Sequence, residues 1–269
     1  MLSDISLGRY IDTGSIFHRM DPRAKLVIFL MYIIVIFSCQ TKGALIATGL
    51  VVIAQLIVAK LSLKQIWSTI KPMLPITFFI VILNLFTIRT GDVKWHWKIF
   101  TITSEGIRNS VFMGSRLIYL VLITSVLLTL TTTPIKISDA LEKLMSPLKV
   151  IKVPVHEMAM MMSIALRFIP TLLDETDKIM KAQESRGADY DTGSIINRLK
   201  GYVTVLIPLF ISSFKRAEEL AVAMDARCYR GGDGRTKLNP LKITRIDIIA
   251  GAVLVLGAAL IIAANALFK

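Results

Sequence analysis

The last apolar run of this chain, residues 248–268, is 21 residues long and carries no charge. A helix of roughly 20 residues, rising 1.5 Å per residue, crosses a hydrocarbon core of about 30 Å, so such a run belongs in a bilayer. Four earlier runs follow the pattern less fully: 26–39, 43–59, 73–88 and 117–135, the last with Pro134 near its end. Lys25 and Arg116 lie at the edges of their runs, where long stems can snorkel and lengthen the usable helix. The hydrophobic content of 54% therefore reads as an all-α integral membrane protein with about five spans, not as a soluble core. Two further stretches read as interfacial or packed against protein. Residues 154–173 contain His156, Glu157 and Arg167, and a charge costs about 2.5–3.5 kcal/mol at mid-bilayer. Residues 202–214 lie between Lys200 and Lys215 and are too few to cross unaided. A seven-span arrangement would keep the C-terminus on the same side.

The formal charge is +13, and its distribution sets the orientation. Arg9, Arg19, Arg23 and Lys25 precede the first span, Lys60, Lys64 and Lys71 follow the second, and 18 of the 32 basic residues fall in 136–245. In a five-span arrangement these regions share one side, and basic loops favour the cytoplasm. The expected topology is a cytoplasmic N-terminus and an external C-terminus, although the loop 89–108 places four basic residues on the external side. The central segment also holds 13 acidic residues, an excess of only five basic ones, so the charge speaks for topology and not for nucleic acid. The first run lacks a short h-region with a small-residue exit, so no cleavage is expected. Cys39 and Cys228 would lie on opposite sides of the membrane, and no disulfide is implied.

Three regions follow: 1–137 with four spans, 138–245 as a coupling region of amphipathic helices, and 246–269 with the last span. Ser138-Asp139 suggests a helix N-cap ahead of Leu141, Leu144, Met145 and Leu148, which share a helical spacing disturbed at Pro147. Pro154 separates this from a Met-rich stretch including Met158, Met160, Met161 and Met162. Methionine fills irregular gaps in cores, and a Met-rich surface adapts to partners of different shape. Leu172, Thr176, Ile179, Gln183 and Arg186 form one helical stripe ending at Gly187, a C-cap candidate. Ala217, Leu220, Met224 and Arg227 form a second. Ser185-Arg186-Gly187 and Ala226-Arg227-Cys228 thus close two helices, each arginine continuing the less polar stripe. An arginine near a helix C-terminus gains from the helix dipole, which is one reading of each; paired docking is the other.

Signs of catalysis are few. The chain has no phosphate-binding G-x-x-x-x-G-K-[ST], no H-E-x-x-H or clustered Cys and His for a metal, and no G-x-S-x-G elbow. His18, His96 and His156 are dispersed and read as structural, and Asp233-Gly234 reads as a turn. Within the spans, Asn84 and hydroxyls are the expected polarity, which leaves no ion relay. Asp21-Pro22-Arg23 reads as a turn, with Asp21 capping and Pro22 at the first helical position.

The run from Phe17 through Asp21-Pro22-Arg23 to Leu26, the Ser185-Arg186-Gly187 triplet and the run from Ala226-Arg227-Cys228 to Gly232, in that order, resemble the transmembrane T component of energy-coupling factor transporters. The resemblance covers essentially the whole chain. It implies a non-catalytic scaffold in a bacterial cell membrane. Its partners would be two ATP-binding-cassette ATPases, which hold ATP and Mg, and a small membrane S component that captures a vitamin or metal ion. This chain itself would bind no cofactor and no catalytic metal. The resemblance assigns Ser185, Arg186, Gly187, Ala226, Arg227 and Cys228 to ATPase docking, with Ser185 and Cys228 departing from the usual Ala-Arg-Gly; Cys228 removes conformational freedom at the second cap. Leu141, Leu144, Met145, Leu148, Met158, Met161 and Met162 are the candidates for S-component contact. A self-contained transporter and a lipid-modifying membrane enzyme are the alternatives.

Overall fold

The computed structural model describes residues 14–88, 90, 92–97, 100–188, 195–232, 241 and 243–267. Asp233-Gly234 and the last residue of the final run, Phe268, lie outside the described residues. In chain order the helices are α1 (Ile16–Arg19), α2 (Pro22–Ser38), α3 (Lys42–Val58), α4 (Leu63–Ile70), α5 (Leu74–Thr87), α6 (Ser104–Thr124), α7 (Pro134–Leu144), α8 (Val155–Glu184), α9 (Ile195–Ala226) and α10 (Arg245–Leu267). An antiparallel hairpin of β1 (Val93–Trp97) and β2 (Phe100–Thr103) precedes α6. The described residues divide into two units, one of 14–140 with 241–267 and one of 141–232.

In the first unit a 3₁₀ turn, Lys71–Met73, links α4 to α5, and a π turn, Ser125–Thr129, extends α6. Among the described residues Leu63–Thr87, Ser104–Thr129 and Arg245–Leu267 are long and apolar enough to span a membrane. At 17 residues each, α2 and α3 are shorter. All five stretches fall on the five apolar runs, with shifted ends. The run 73–88 is extended backwards to Leu63, and 117–135 begins earlier, at Ser104, and stops at Thr129. Pro134 disfavours helical backbone at Thr133 and opens α7, so Ile135 belongs to α7 and Ser138 is a buried residue inside it, not an N-cap.

The core lies where α2, α3, α6 and α10 meet, around Tyr32, Ile36, Val52, Ile123, Leu127 and Ile261. Polar groups decide how these helices dock. Lys25 does not snorkel: it is 1% exposed, with Nζ donating to the Thr131 carbonyl (3.0 Å), Thr131 Oγ1 (3.1 Å) and Thr132 Oγ1 (2.9 Å). Its three donors meet three acceptors, which a buried ammonium requires. The π turn just before these threonines brings them there, since Leu130 N–H bonds back five residues to Ser125. Arg116 also turns inward along its run, donating to the Cys39 carbonyl at 2.7 Å and lying over the Phe37 ring.

The Asp-Pro-Arg turn has a second task. Asp21 caps α2 by accepting from Arg23 N–H at 2.8 Å, with Pro22 at the first position, as the sequence implies. Its own backbone N–H donates to Asp247 Oδ1 at 2.6 Å, while Asp247 Oδ2 accepts from Thr244 N–H (2.5 Å) and Oγ1 (2.6 Å). The Asp247 carboxylate thus reaches back to Thr244 at the start of α10, one half of a capping box, and also receives the start of α2. Arg23 adds a bond from Nη2 to the Leu241 carbonyl at 2.7 Å. At the other end, the Asn265 amide accepts from Gln40 N–H and Thr41 Oγ1 and donates to the Ser38 carbonyl, each at 3.1 Å. Midway, Tyr32 Oη donates to the Leu254 carbonyl at 2.8 Å, and a Cβ on Gly257 would come within 2.9 Å of that hydroxyl. Small residues admit such close helix approach. Polarity within the runs is therefore not confined to Asn84 and hydroxyls: Gln55 and Asn265 lie inside them, and Lys25 and Asp247 enter at their edges.

In the second unit a 3₁₀ turn, Ser146–Ile151, ends at Lys152 in left-handed backbone, φ 61°, before Pro154 opens α8. Helices α8 and α9 have 30 and 32 residues and continue through Pro170 and Pro208. We expect Asp247→Ala to lower stability by about 2–4 kcal/mol, because it leaves Asp21 and Thr244 N–H groups unpaired, and Asp247→Asn to lose less. Thermal unfolding in detergent measures both.

Candidate functional site

The two arginine triplets end their helices with the same backbone device. At the end of α8, Ala188 N–H donates to the Gln183 carbonyl and Gly187 N–H to that of Glu184, each at 2.9 Å, with Gly187 at φ 89°. At the end of α9, Tyr229 N–H donates to the Met224 carbonyl (3.1 Å) and Cys228 N–H to that of Asp225 (2.9 Å), with Cys228 at φ 54°. Both are Schellman motifs with the arginine at the Ccap position. The motif needs left-handed backbone, free for Gly187 and costing roughly 1–2 kcal/mol for a residue with a Cβ. Cys228 adopts it nevertheless, so the geometry after Arg227 matches that after Arg186. Backbone groups close both caps. Ser185, Arg186, Gly187, Ala226, Arg227 and Cys228 are all exposed, and neither arginine forms an ion pair among the described residues.

The two helices are joined at a polar crossing. Glu175 of α8 accepts from Ser212 Oγ and from Arg216 Nε (3.1 Å) and Nη2 (2.8 Å) of α9. The Ser212 hydroxyl, aided by Arg216 and Lys178 against some burial, holds the Glu175 carboxyl below its ordinary range. From there the C-terminal end of α9 runs toward the start of α8, where Gly232 packs on the His156 ring so closely that a Cβ would lie 2.4 Å from Cδ2. His156 Nδ1 is 2.9 Å from Glu142 Oε1, which makes it a local structural group, as expected. Arg186 is 11 residues beyond Glu175, and Arg227 is 11 beyond Arg216. Each arginine therefore stands about 16 Å of helix from the crossing, in opposite directions.

The stripe behind Arg186 is half-buried at Leu172, Thr176, Ile179 and Gln183, and that behind Arg227 at Leu220 and Met224. Among the candidate apolar contacts, Leu141, Leu144, Leu148, Met158, Met161 and Met162 are exposed and Met145 is half-buried. The structure adds two groups to them: Val150 and Ile151, 88% and 68% exposed, and an apolar stripe on α9 through Ile196, Leu199, Val203, Leu206, Phe210 and Phe214. That stripe follows helical spacing but is too short to stand out as a membrane span. Among the described residues no three His, Cys, Asp or Glu side chains gather as a metal site.

The family model for CbiQ, described as a cobalt transport protein, matches residues 13–238. A protein of Ruminiclostridium cellulolyticum, named energy-coupling factor transporter transmembrane protein EcfT, is 49% identical over 95% of both chains. Proteins of the same name from Clostridium kluyveri and Bacillus subtilis are 47% and 42% identical, over 93% of both chains and over 97% of this chain and 98% of the other. The chain belongs to the CbiQ family of energy-coupling factor transporter transmembrane components. As a CbiQ-family protein it is a transport component embedded in the membrane, which accords with its apolar helices and its exposed helix ends.

Two outcomes follow from this geometry. Cys228→Gly raises stability by about 1 kcal/mol and Gly187→Ala lowers it by a similar amount, read by thermal unfolding and by hydrogen exchange of the Tyr229 and Ala188 amides. The crossing responds to acid. Because the folded state lowers the Glu175 pKa, its contribution is complete above the ordinary value of 4.5 and is lost as pH falls through the folded value. Unfolding curves of the native protein and Glu175→Gln therefore differ at neutral pH and converge once the pH has fallen through the folded Glu175 pKa.

Proposed function

We propose that this chain is the non-catalytic coupling subunit through which two cytoplasmic ATP-binding-cassette ATPases drive uptake of a vitamin or other micronutrient captured by a membrane S component. The observation that carries the reading is the pair of matching arginine caps, held outward at opposite ends of one crossed helix pair. An arginine offers a planar fork of five donors suited to a carboxylate-lined or carbonyl-lined groove, and a rigid helix behind it transmits displacement. Two such ends fit two ATPase subunits, like or unlike. In this mechanism ATP binding closes the ATPase pair, Arg186 and Arg227 move with their grooves, and α8 and α9 change their crossing. The apolar surface at Leu141, Leu144, Met145, Leu148, Met158, Met161 and Met162 then carries the S component with it. ATP and Mg are held by the ATPases. The N-terminus and the helix ends face the cytoplasm, in keeping with the basic residues gathered there.

Arg186→Glu and Arg227→Glu each strip the ATPases from the complex purified in mild detergent and abolish uptake, since each reverses the charge at a docked tip. Polar substitution at Met161 or Met162 releases the S component while the ATPases stay bound. Normal assembly and uptake by both arginine variants would refute the docking, and transport by this chain alone in liposomes would replace it with a self-contained transporter.

A further inference from the structure

A cavity of about 640 Å³ lies in the first unit between α3 and α10, a size typical of small-molecule sites. Its walls are apolar, with Val51, Ala54 and Val58 on one side and Val253 and Gly257 on the other, and Arg19 stands at its edge. Besides Arg19, the polar side chains among its described lining are Tyr32 and Gln55. Gln55 is 4% exposed, and among the described residues its amide finds no well-formed hydrogen bond, the Tyr32 hydroxyl being its one polar neighbour. Leaving such a group unpaired costs about 1–3 kcal/mol, so an amide of this kind calls for a partner. The Tyr32 hydroxyl beside it gives its own proton to the Leu254 carbonyl, so it offers the amide an acceptor only and leaves the amide oxygen without a donor.

The cavity sits at the basic end of the helices. The starts of α2 and α10 are joined there by Asp21 and Asp247, and α3 runs antiparallel to α10, because its first residues meet Asn265. Arg19, Arg23, Lys60 and Arg245 therefore cluster around this end. Arg19 is exposed and forms no ion pair among the described residues. An apolar slot, a buried amide inside it and a cation at its rim match, in that order, an acyl chain, a glycerol ester and a phosphate.

We propose that this cavity binds one glycerophospholipid with a net negative headgroup. An acyl chain lies along Val51, Ala54 and Val253, Gln55 Nε2 donates to an ester carbonyl, and Arg19 holds the phosphate. The surrounding basic residues favour an anionic headgroup over a zwitterionic one.

The test uses the full-length chain in its purified complex, delipidated in mild detergent and titrated with dioleoyl phosphatidylglycerol, phosphatidylethanolamine or phosphatidylcholine. Native mass spectrometry reads retained lipid, and thermal unfolding reads stabilisation. One phosphatidylglycerol per chain is expected, bound about tenfold more tightly than the zwitterionic lipids. Arg19→Gln removes that preference and Arg19→Lys keeps most of it, both at an exposed position where folding is not at stake. Gln55→Leu weakens retention of all three lipids, and Ala54→Trp blocks it, with intact complex on size exclusion as the folding control. Equal retention of the three lipids by the native chain, an unchanged preference in Arg19→Gln, or no retained lipid because another part of the chain fills the slot would overturn the proposal.

Discussion

One buried carboxylate organises the membrane-embedded unit. Asp247 accepts hydrogen bonds from Thr244 N–H and Oγ1 and from Asp21 N–H, and so caps α10 while holding the first turn of α2. A carboxylate withdrawn from water is tolerated only when its lone pairs are occupied, and here the occupants come from two chain segments 226 residues apart. The same reasoning applies to Lys25, whose acceptors lie more than 100 residues further along. Lys25 is satisfied wholly from outside its own helix, and Asp247 only in part by the turn that opens α10. Helix association in lipid lacks a hydrophobic driving force of its own, so these polar closures, with Tyr32 and Asn265, specify which helices touch.

The other unit is specified differently. Its long helices meet at a polar crossing, Glu175 with Ser212 and Arg216, and leave much of their apolar surface exposed. Each helix ends in a backbone cap, with the arginine side chain in no ion pair among the described residues. A helix dipole is favoured by a cation near its C-terminus, yet that effect is worth only about 0.3–1 kcal/mol and needs no shared backbone motif at two sites. The strained backbone of Cys228 is informative for the same reason, since left-handed conformation at a residue with a Cβ persists only where its surroundings determine it.

The apolar runs were legible because a bilayer tolerates little else across some 20 residues, and the two stripes because a helix places every third and fourth residue together. Their ends were less so: α6 stops where a π turn and three threonines intervene, features without hydropathy. Lys25 was misread because a cation at the margin of an apolar run looks the same from its neighbours whether it reaches outward or inward; only Thr131 and Thr132 decide. Gln55 and Asn265 were overlooked within long apolar stretches, where one amide hardly alters the average. At the second triplet, sequence pointed to lost freedom at Cys228, and the fold pays that strain locally and keeps the cap.

The position of the crossing has a mechanical consequence. With about 16 Å of helix between it and either arginine, the pair is a balanced scissor with arms of matched length. Rotation about the pivot at Glu175 and Arg216 sweeps both tips through equal arcs, so neither tip has leverage over the other. A push on one tip alone tilts the whole pair, whereas a symmetric squeeze changes only its opening angle. The pivot therefore separates one-sided from two-sided loading by geometry alone.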